Sequence, residues 1–547
     1  MLGSWIARCR EVNICWRASF TDMADINLVE RNKDDAKSPF KYGDRPIGED
    51  LDVSGHVPVL PKEFNLLSAI ATGIVTGNTW TALGGAIVAS LYNGGPPGII
   101  YEFIAVSVFY WFITASIAEL ASAIPASGGV YHWATVTAGP RYGRICGWFA
   151  GWLNFFAWVF GVSANCSIIG SMIVYAYALF HPGFESQRWQ VFIAYLIICW
   201  GCCFTVMFAN RALPHINRIG SFLILGGLFV TIVVCAVMPS RNGSGYASNG
   251  FVWKDWENGT GYSSNGFVFL AGMLNGAFAV GTPDCVTHIA EEIPQAGRNL
   301  PKVLVCQVAV GFFTAVFYMI AMFYAINDLD AIFQANSICP LGDIYRQATG
   351  SNGGALGLLI VIILPIVCAT VGCYITAGRT LYTLARDDAA PFASRIGAVS
   401  PKWKSPLYAT LACGVISTCM GAIYVGSLAA FNAFVGAFVL LTTASFLMTI
   451  LPHLITGRKT LTPGPFWMGK AGFVVNAVSC LYIVVSVVIY CFPYALPTSA
   501  AEMNYTSVIT VGLAVLVGIW WFVHGRENYV GPQIVLNSVT ALDRERD

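Results

Sequence analysis

The chain alternates between long apolar runs and short polar connections, and few folds can accommodate that pattern. A helix needs about 20 apolar residues to cross a bilayer, and runs of that length number about twelve here. They cover roughly 66–91, 98–122, 144–178, 190–209, 215–238, 266–290, 303–326, 354–385, 406–426, 430–455, 472–493 and 505–523. Only 11% of residues are charged, against about 25% in a soluble domain. The expectation is an all-α membrane protein. Residues 1–62 are polar and rich in Asp, Lys and Arg, and read as a disordered tail. Residues 63–525 form the membrane domain and 526–547 a second short tail. No clean signal peptide opens the chain, because Arg8, Arg10 and Glu11 interrupt its start, and Met23 reads as an alternative initiator.

A net charge of +1 leaves no basic surface for nucleic acid. The 17 cysteines sit mostly inside apolar runs, where a thiol behaves as a small hydrophobe. Cys199 and Cys202 form a CxxC, but inside a span, so neither a disulfide framework nor a metal is expected. Gly464 to Lys470 has phosphate-loop spacing yet contains Pro465 and ends in Ala471. No zinc-protease motif or nucleophile elbow appears, so the reading is not an enzyme and has no cofactor.

Orientation follows the basic residues, which collect on the cytoplasmic side. With the N-terminus inside, only Arg188, Arg241, Lys254 and Arg346 of the 30 Lys and Arg residues fall outside. Both termini are then cytoplasmic. The sequons at Asn242, Asn258 and Asn504 fall in outer loops and are glycosylation candidates, while Asn165 falls in a span and is expected to be silent.

Two spans are interrupted. The first, ATGIVTGNTWTALGGAIVAS, carries Gly73, Gly77, Asn78, Thr79, Gly84 and Gly85. The sixth, LNGAFAVGTPDCVTHIAEEIP, carries Gly276, Gly281, Pro283 and Asp284. Irregular backbone at membrane depth is tolerated only where protein or a water-filled cavity satisfies it, and paired broken spans point to a binding site. Lying five spans apart, they fit two five-helix repeats of opposite topology followed by two further helices. Thr282-Pro283-Asp284 also reads as a helix start, with Thr as N-cap and the half-helix resuming at 283. Asp284 could then cap, hold a substrate ammonium or take up a proton. Trp80, Phe278, Trp158 and Phe156 lie near the gaps, where aromatic faces could hold a quaternary ammonium or simply pack.

Three blocks resemble the amino acid–polyamine–organocation superfamily of secondary transporters. AVGTPDCVTHIAEEIPQAGRNLPK at 279–302 is similar to its sixth-helix signature, with Glu291, Glu292, Arg298 and Pro301 in register. AGRTLYTLARDDAAP at 377–391 is similar to its eighth-helix end, including Gly378, Arg379 and Arg386. AELASAIPASGGVYHWA at 118–134 is similar to the loop after its second helix. Within the superfamily these blocks look like the fungal amino acid/choline branch, which includes choline transport proteins and GABA permeases. The resemblance implies the five-plus-five inverted repeat, discontinuous helices one and six, and alternating access. It puts substrate beside Thr79, Trp80, Thr81, Ala82, Phe278, Gly281, Thr282 and Asp284, with Phe278 as an aromatic gate. The window from Thr79 to Gly84 departs from the compact Gly-Ser/Thr-Gly of many amino acid members, which favours a cationic amine such as choline and leaves GABA open. Glu119, Glu291, Glu292, Arg298 and Arg379 are gating or coupling candidates, or solvated helix ends. The expectation is a plasma-membrane symporter for choline or a related small amine or amino acid, with a proton as coupling ion. The alternatives are a GABA or amino acid permease, a nutrient sensor on the same scaffold, and a channel.

Overall fold

A computed structural model describes residues 64–532 apart from 88–91, 336, 427–428, 500–502 and 530. The tail 1–62 and residues 533–547 lie outside the described residues. Among the described residues the architecture is helical, with one isolated β-bridge, Asn93 to Asn258. Helix is the outcome the apolar runs dictate, because every backbone N–H and C=O in hydrocarbon must be satisfied within its own segment.

Apart from a short helix at Val130–Thr137, which lies between the second and third runs, the principal helices fall on the predicted runs. They are α1 (Leu66–Gly77), α2 (Thr79–Gly85), α3 (Gly95–Ala123), α4 (Val130–Thr137), α5 (Gly139–Ala178), α6 (Arg188–Phe208) and α7 (Leu213–Asn242). There follow α8 (Asn265–Val280), α9 (Ala296–Tyr324), α10 (Asn352–Arg386), α11 (Leu407–Gly426), α12 (Ala429–Ile455), α13 (Ala471–Ile489) and α14 (Thr506–Trp520). Among the described residues, nine helices are individually long and apolar enough to span a membrane. The α1–α2 pair and α8 fall short because they are broken, and α11 because its apolar stretch is Leu407–Ile423.

The 40-residue α5 is the central post. It packs against α10, α12, α6 and α4, and its most apolar window is 89% buried. The corresponding window of α14 is 11% buried. Large apolar side chains such as Phe222, Phe229 and Leu481 stand exposed on outer helices, where a bilayer covers them. The segment read as the C-terminal tail begins in contact with the domain. Arg526–Asn528 form a short helix and Tyr529 is fully buried, its ring edge-on to Trp148 at 5.1 Å.

Candidate functional site

The first span breaks at one residue. Asn78 takes a left-handed backbone, φ 49°, closing α1 with its N–H on the Ile74 carbonyl and opening α2 with its own carbonyl, which accepts from Ala82 N–H. Asparagine is among the few L-residues that visit this conformation routinely. Close approach holds the two halves separately. Thr76 of α1 lies against Gly372 of α10, and Thr79 of α2 lies against Gly311 of α9, and at either glycine a Cβ would overlap the threonine hydroxyl.

The sixth span stops at Val280, but no α-helix resumes at 283. The chain runs through a turn into a 3-10 helix, Thr287–Glu292. Thr282 does not cap it. Its carbonyl and hydroxyl accept instead from the Gln307 amide of α9, at 2.8 and 3.2 Å, so a side chain replaces the missing helical donor. The Thr287 N–H finds the Asp284 carbonyl at 2.9 Å.

The two breaks face one narrow cavity of about 20 Å³, room for a single water. Thr76, Gly77, Asn78 and Ala82 line it from the first break, and Phe278 and Thr282 from the sixth. Gly161 and Asn165 of α5, Cys373 of α10 and Phe438 of α12 complete the wall. Among the described residues no charged side chain lines it. Phe278 and Phe438 stand edge-on at 5.6 Å, and Trp158 meets Phe438 at 5.7 Å.

Of the residues expected beside substrate, the structure thus brings Ala82, Phe278 and Thr282 onto the wall. Trp80 points away, its indole N–H on the Ile224 carbonyl at 3.2 Å and its ring against Tyr318. The Thr81 hydroxyl bonds the Asn78 carbonyl at 3.0 Å, and Thr79 and Gly281 are buried in packing. Phe156 packs on Trp152 and Phe155. Asp284 is fully buried behind the wall. Its Oδ2 accepts from Asn154 Nδ2 at 2.7 Å and Trp158 Nε1 at 3.3 Å, with His288 Nε2 at 3.3 Å. His288 Nδ1 in turn meets the Thr380 hydroxyl at 3.1 Å. The carboxylate ties the irregular segment to α5 and α10.

The gating candidates form ion pairs at one end of the bundle. Arg379 Nε meets Glu292 at 3.0 Å and its Nη2 donates to Asn210 Oδ1 at 3.0 Å. Arg386 meets Glu291 at 3.3 Å. Glu119 pairs with Arg458, whose guanidinium stacks on Trp467 at 4.3 Å. Arg298 is exposed and makes no ion pair among the described residues.

A family model described as amino acid permease matches residues 64–514. The chain belongs to that family. It is therefore a membrane transporter of the amino acid–polyamine–organocation superfamily and not an enzyme. The permease is similar to a choline transporter of Saccharomyces cerevisiae, 31% identical over 88% of this chain and 85% of the relative. It is also similar to a swainsonine transporter of Arthroderma benhamiae (26%, covering 86% and 92%) and an amino-acid permease of Arabidopsis thaliana (24%, covering 87% and 94%).

Sequence reading of this permease missed several of the residues that build the site. Asn165, a sequon expected to be silent, lines the cavity and donates to Cys373 Sγ at 3.6 Å. Asn154, Gln307 and His288 carried a signal that could have found them, being polar side chains within or beside apolar runs. The sequons also separate. Asn242 and Asn258 are exposed, whereas the buried Asn504 amide donates to the Tyr490 and Phe492 carbonyls, both at 2.8 Å. Glycosidase-sensitive mobility is expected to survive Asn504→Gln and to be lost in the Asn242→Gln/Asn258→Gln double variant. A shift from Asn504→Gln alone would show that this amide is accessible when the loop folds.

Proposed function

We propose that the permease imports choline or a related small amine across the plasma membrane by alternating access, coupled to protons. With both termini cytoplasmic, the Arg379, Arg386 and Arg458 pairs close the inner end. The twelve runs read as two inverted five-helix repeats plus two helices, with the cavity between the broken members.

The observation that carries the reading is the way two helices end at an uncharged aromatic cavity. The C-termini of α1 at Gly77 and of α8 at Val280 abut it. The C-terminal turn of each helix carries the negative end of the helix dipole. A small cation finds oxygen dipoles there together with the faces of Phe278 and Phe438. This suits a quaternary ammonium, which asks for aromatic and carbonyl contacts rather than a hydrogen-bond acceptor. The likeness to a choline transporter supports the same substrate class. Trp80 and Asp284 have no place in this version of the site, and Phe438 takes the role of the second ring.

The test is radiolabelled choline uptake in yeast lacking its own choline carrier, with unlabelled GABA and basic amino acids as competitors. Saturable uptake that resists both competitors is expected. Absence of uptake with the protein at the surface would discard the ammonium reading in favour of an amino acid or GABA substrate. Binding without flux would indicate a sensor. Phe278→Ala is expected to raise the KM for choline about 2- to 30-fold, the equivalent of about 0.5–2 kcal/mol for one cation–π contact. An unchanged KM would remove this ring from the site.

A further inference from the structure

Glu102 takes no part in the site described above, and its surroundings set it apart from every other acid discussed. It lies about two turns inside α3 and is 1% exposed. Among the described residues neither carboxylate oxygen has a hydrogen-bond partner. Asp284, equally buried, has three nitrogens around one oxygen, and Glu291, Glu292 and Glu119 each face an arginine.

What covers Glu102 is α8. The carboxyl lies on Gly272, where any Cβ would overlap it, and one turn later Gly276 lies on Val106 at a spacing that leaves no room for a methyl. Two glycines four residues apart let helix backbones approach closely in a membrane, and here they press α8 onto the acid. Among the described residues, the other elements packed on α3 offer it no cation. Phe312 of α9 faces Phe103, and the Tyr490 hydroxyl, just past α13, lies 3.1 Å from that of Tyr482. Among the described residues no Lys, Arg or His pairs with it.

An unpaired carboxylate in such a place would give up its hydration and gain nothing in return, so the group is carried as the neutral acid. The helix that seals it is the one whose C-terminal turn supplies Phe278 to the cavity. We propose that Glu102 is a proton-binding site that makes closure of α8 conditional on protonation. When α8 swings off α3, water reaches the carboxyl and its proton exchanges with solvent. When α8 closes, only the neutral form is admitted. This rests on the alternating-access reading above and adds a specific consequence. The neutral form is favoured at low pH, so uptake rises as outer pH falls and declines as Glu102 ionises in the open state.

The experiment has two arms. Purified full-length protein in lipid vesicles is treated with dicyclohexylcarbodiimide across an acid-to-alkaline series, and the peptide containing residue 102 is read by mass spectrometry. The acid O–H adds across one C=N bond and the adduct rearranges to a stable N-acylurea, so the whole reagent mass is retained and nothing leaves. Labelling at Glu102 that falls as pH rises is expected, with none in Glu102→Gln. In the second arm, Glu102→Gln, which is permanently uncharged, is expected to take up labelled choline at a rate independent of outer pH and to retain exchange. Wild-type uptake is expected to fall about tenfold per pH unit once the acid ionises. Absence of label on wild-type Glu102 at acid pH would overturn the proposal, as would a Glu102→Gln variant with wild-type pH dependence. If Glu102→Gln fails to reach the membrane, carbodiimide-treated wild type takes its place in the uptake measurement. Failure of wild type to move choline at any pH counts against the substrate reading alone, because the labelling arm needs no substrate.

Discussion

Arg379→Ala is expected to destabilise the folded transporter by about 3–5 kcal/mol, the usual consequence of removing one partner of a buried ion pair. The Arg379 side chain is 2% exposed and Glu292 1%, so no water takes over when the guanidinium is gone. The Asn210 side-chain oxygen Oδ1 loses its donor at the same time. Two other arginines make the effect interpretable. Arg386 pairs with Glu291 at a longer distance and is 11% exposed, so Arg386→Ala is expected to cost less. Arg346, 55% exposed, sits 3.9 Å from Asp343. For Arg346→Ala, solvent screening leaves about 0–1 kcal/mol. Melting of detergent-solubilised variants, followed by size-exclusion chromatography, should rank them in that order. Equal loss for Arg346→Ala and Arg379→Ala would show that charge removal in general, not loss of the buried pair, is responsible.

Asp284→Ala is the second large effect. It leaves the Asn154 amide, the Trp158 indole N–H and His288 without their shared acceptor, all in a buried setting. Each stranded polar group costs about 1–3 kcal/mol. The segment after α8 is irregular, and this carboxylate is what fastens it to α5. The expected phenotype is a fall in maximal uptake to below about a tenth and a lower melting temperature, with a KM close to wild type for whatever activity survives. Asp284→Asn keeps an acceptor oxygen and should recover part of the stability. A variant with normal Vmax and a much higher KM would instead put the carboxylate on the substrate.

The breaks were legible because their cause is local. A Gly-Asn-Thr step and a Gly-Thr-Pro-Asp step cannot continue a helix comfortably, and both spans break at those steps. The sequence could not say how the sixth span continues. Thr282-Pro283-Asp284 has the residue types of a helix N-terminus, but Gln307 takes Thr282, and Asn154 and Trp158, 130 and 126 residues away, take Asp284. Tertiary partners decided what local propensity left open. Trp80 shows the same limit from the other side. Its position beside Asn78 is a sequence fact, but the direction of the ring follows from the helix turn and from the Ile224 carbonyl. The arginine pairs were half legible. Charges at the ends of spans need partners, and Arg379 found Glu292, but nothing local distinguished that pair from the solvent-facing Arg298.

The left-handed residue at position 78 also makes α1 a lever. Its twelve residues extend about 18 Å from a fulcrum one residue wide. Rotation by about 10° at Asn78 would carry the far end by about 3 Å, the width of a water molecule. Thr76 rests on α10 while Gly73 and Gly77 rest on Gln307 of α9, so the arm bridges both long helices. A shift of α10 along α9 would therefore load the arm from two sides, and the left-handed residue is the point at which the chain would yield.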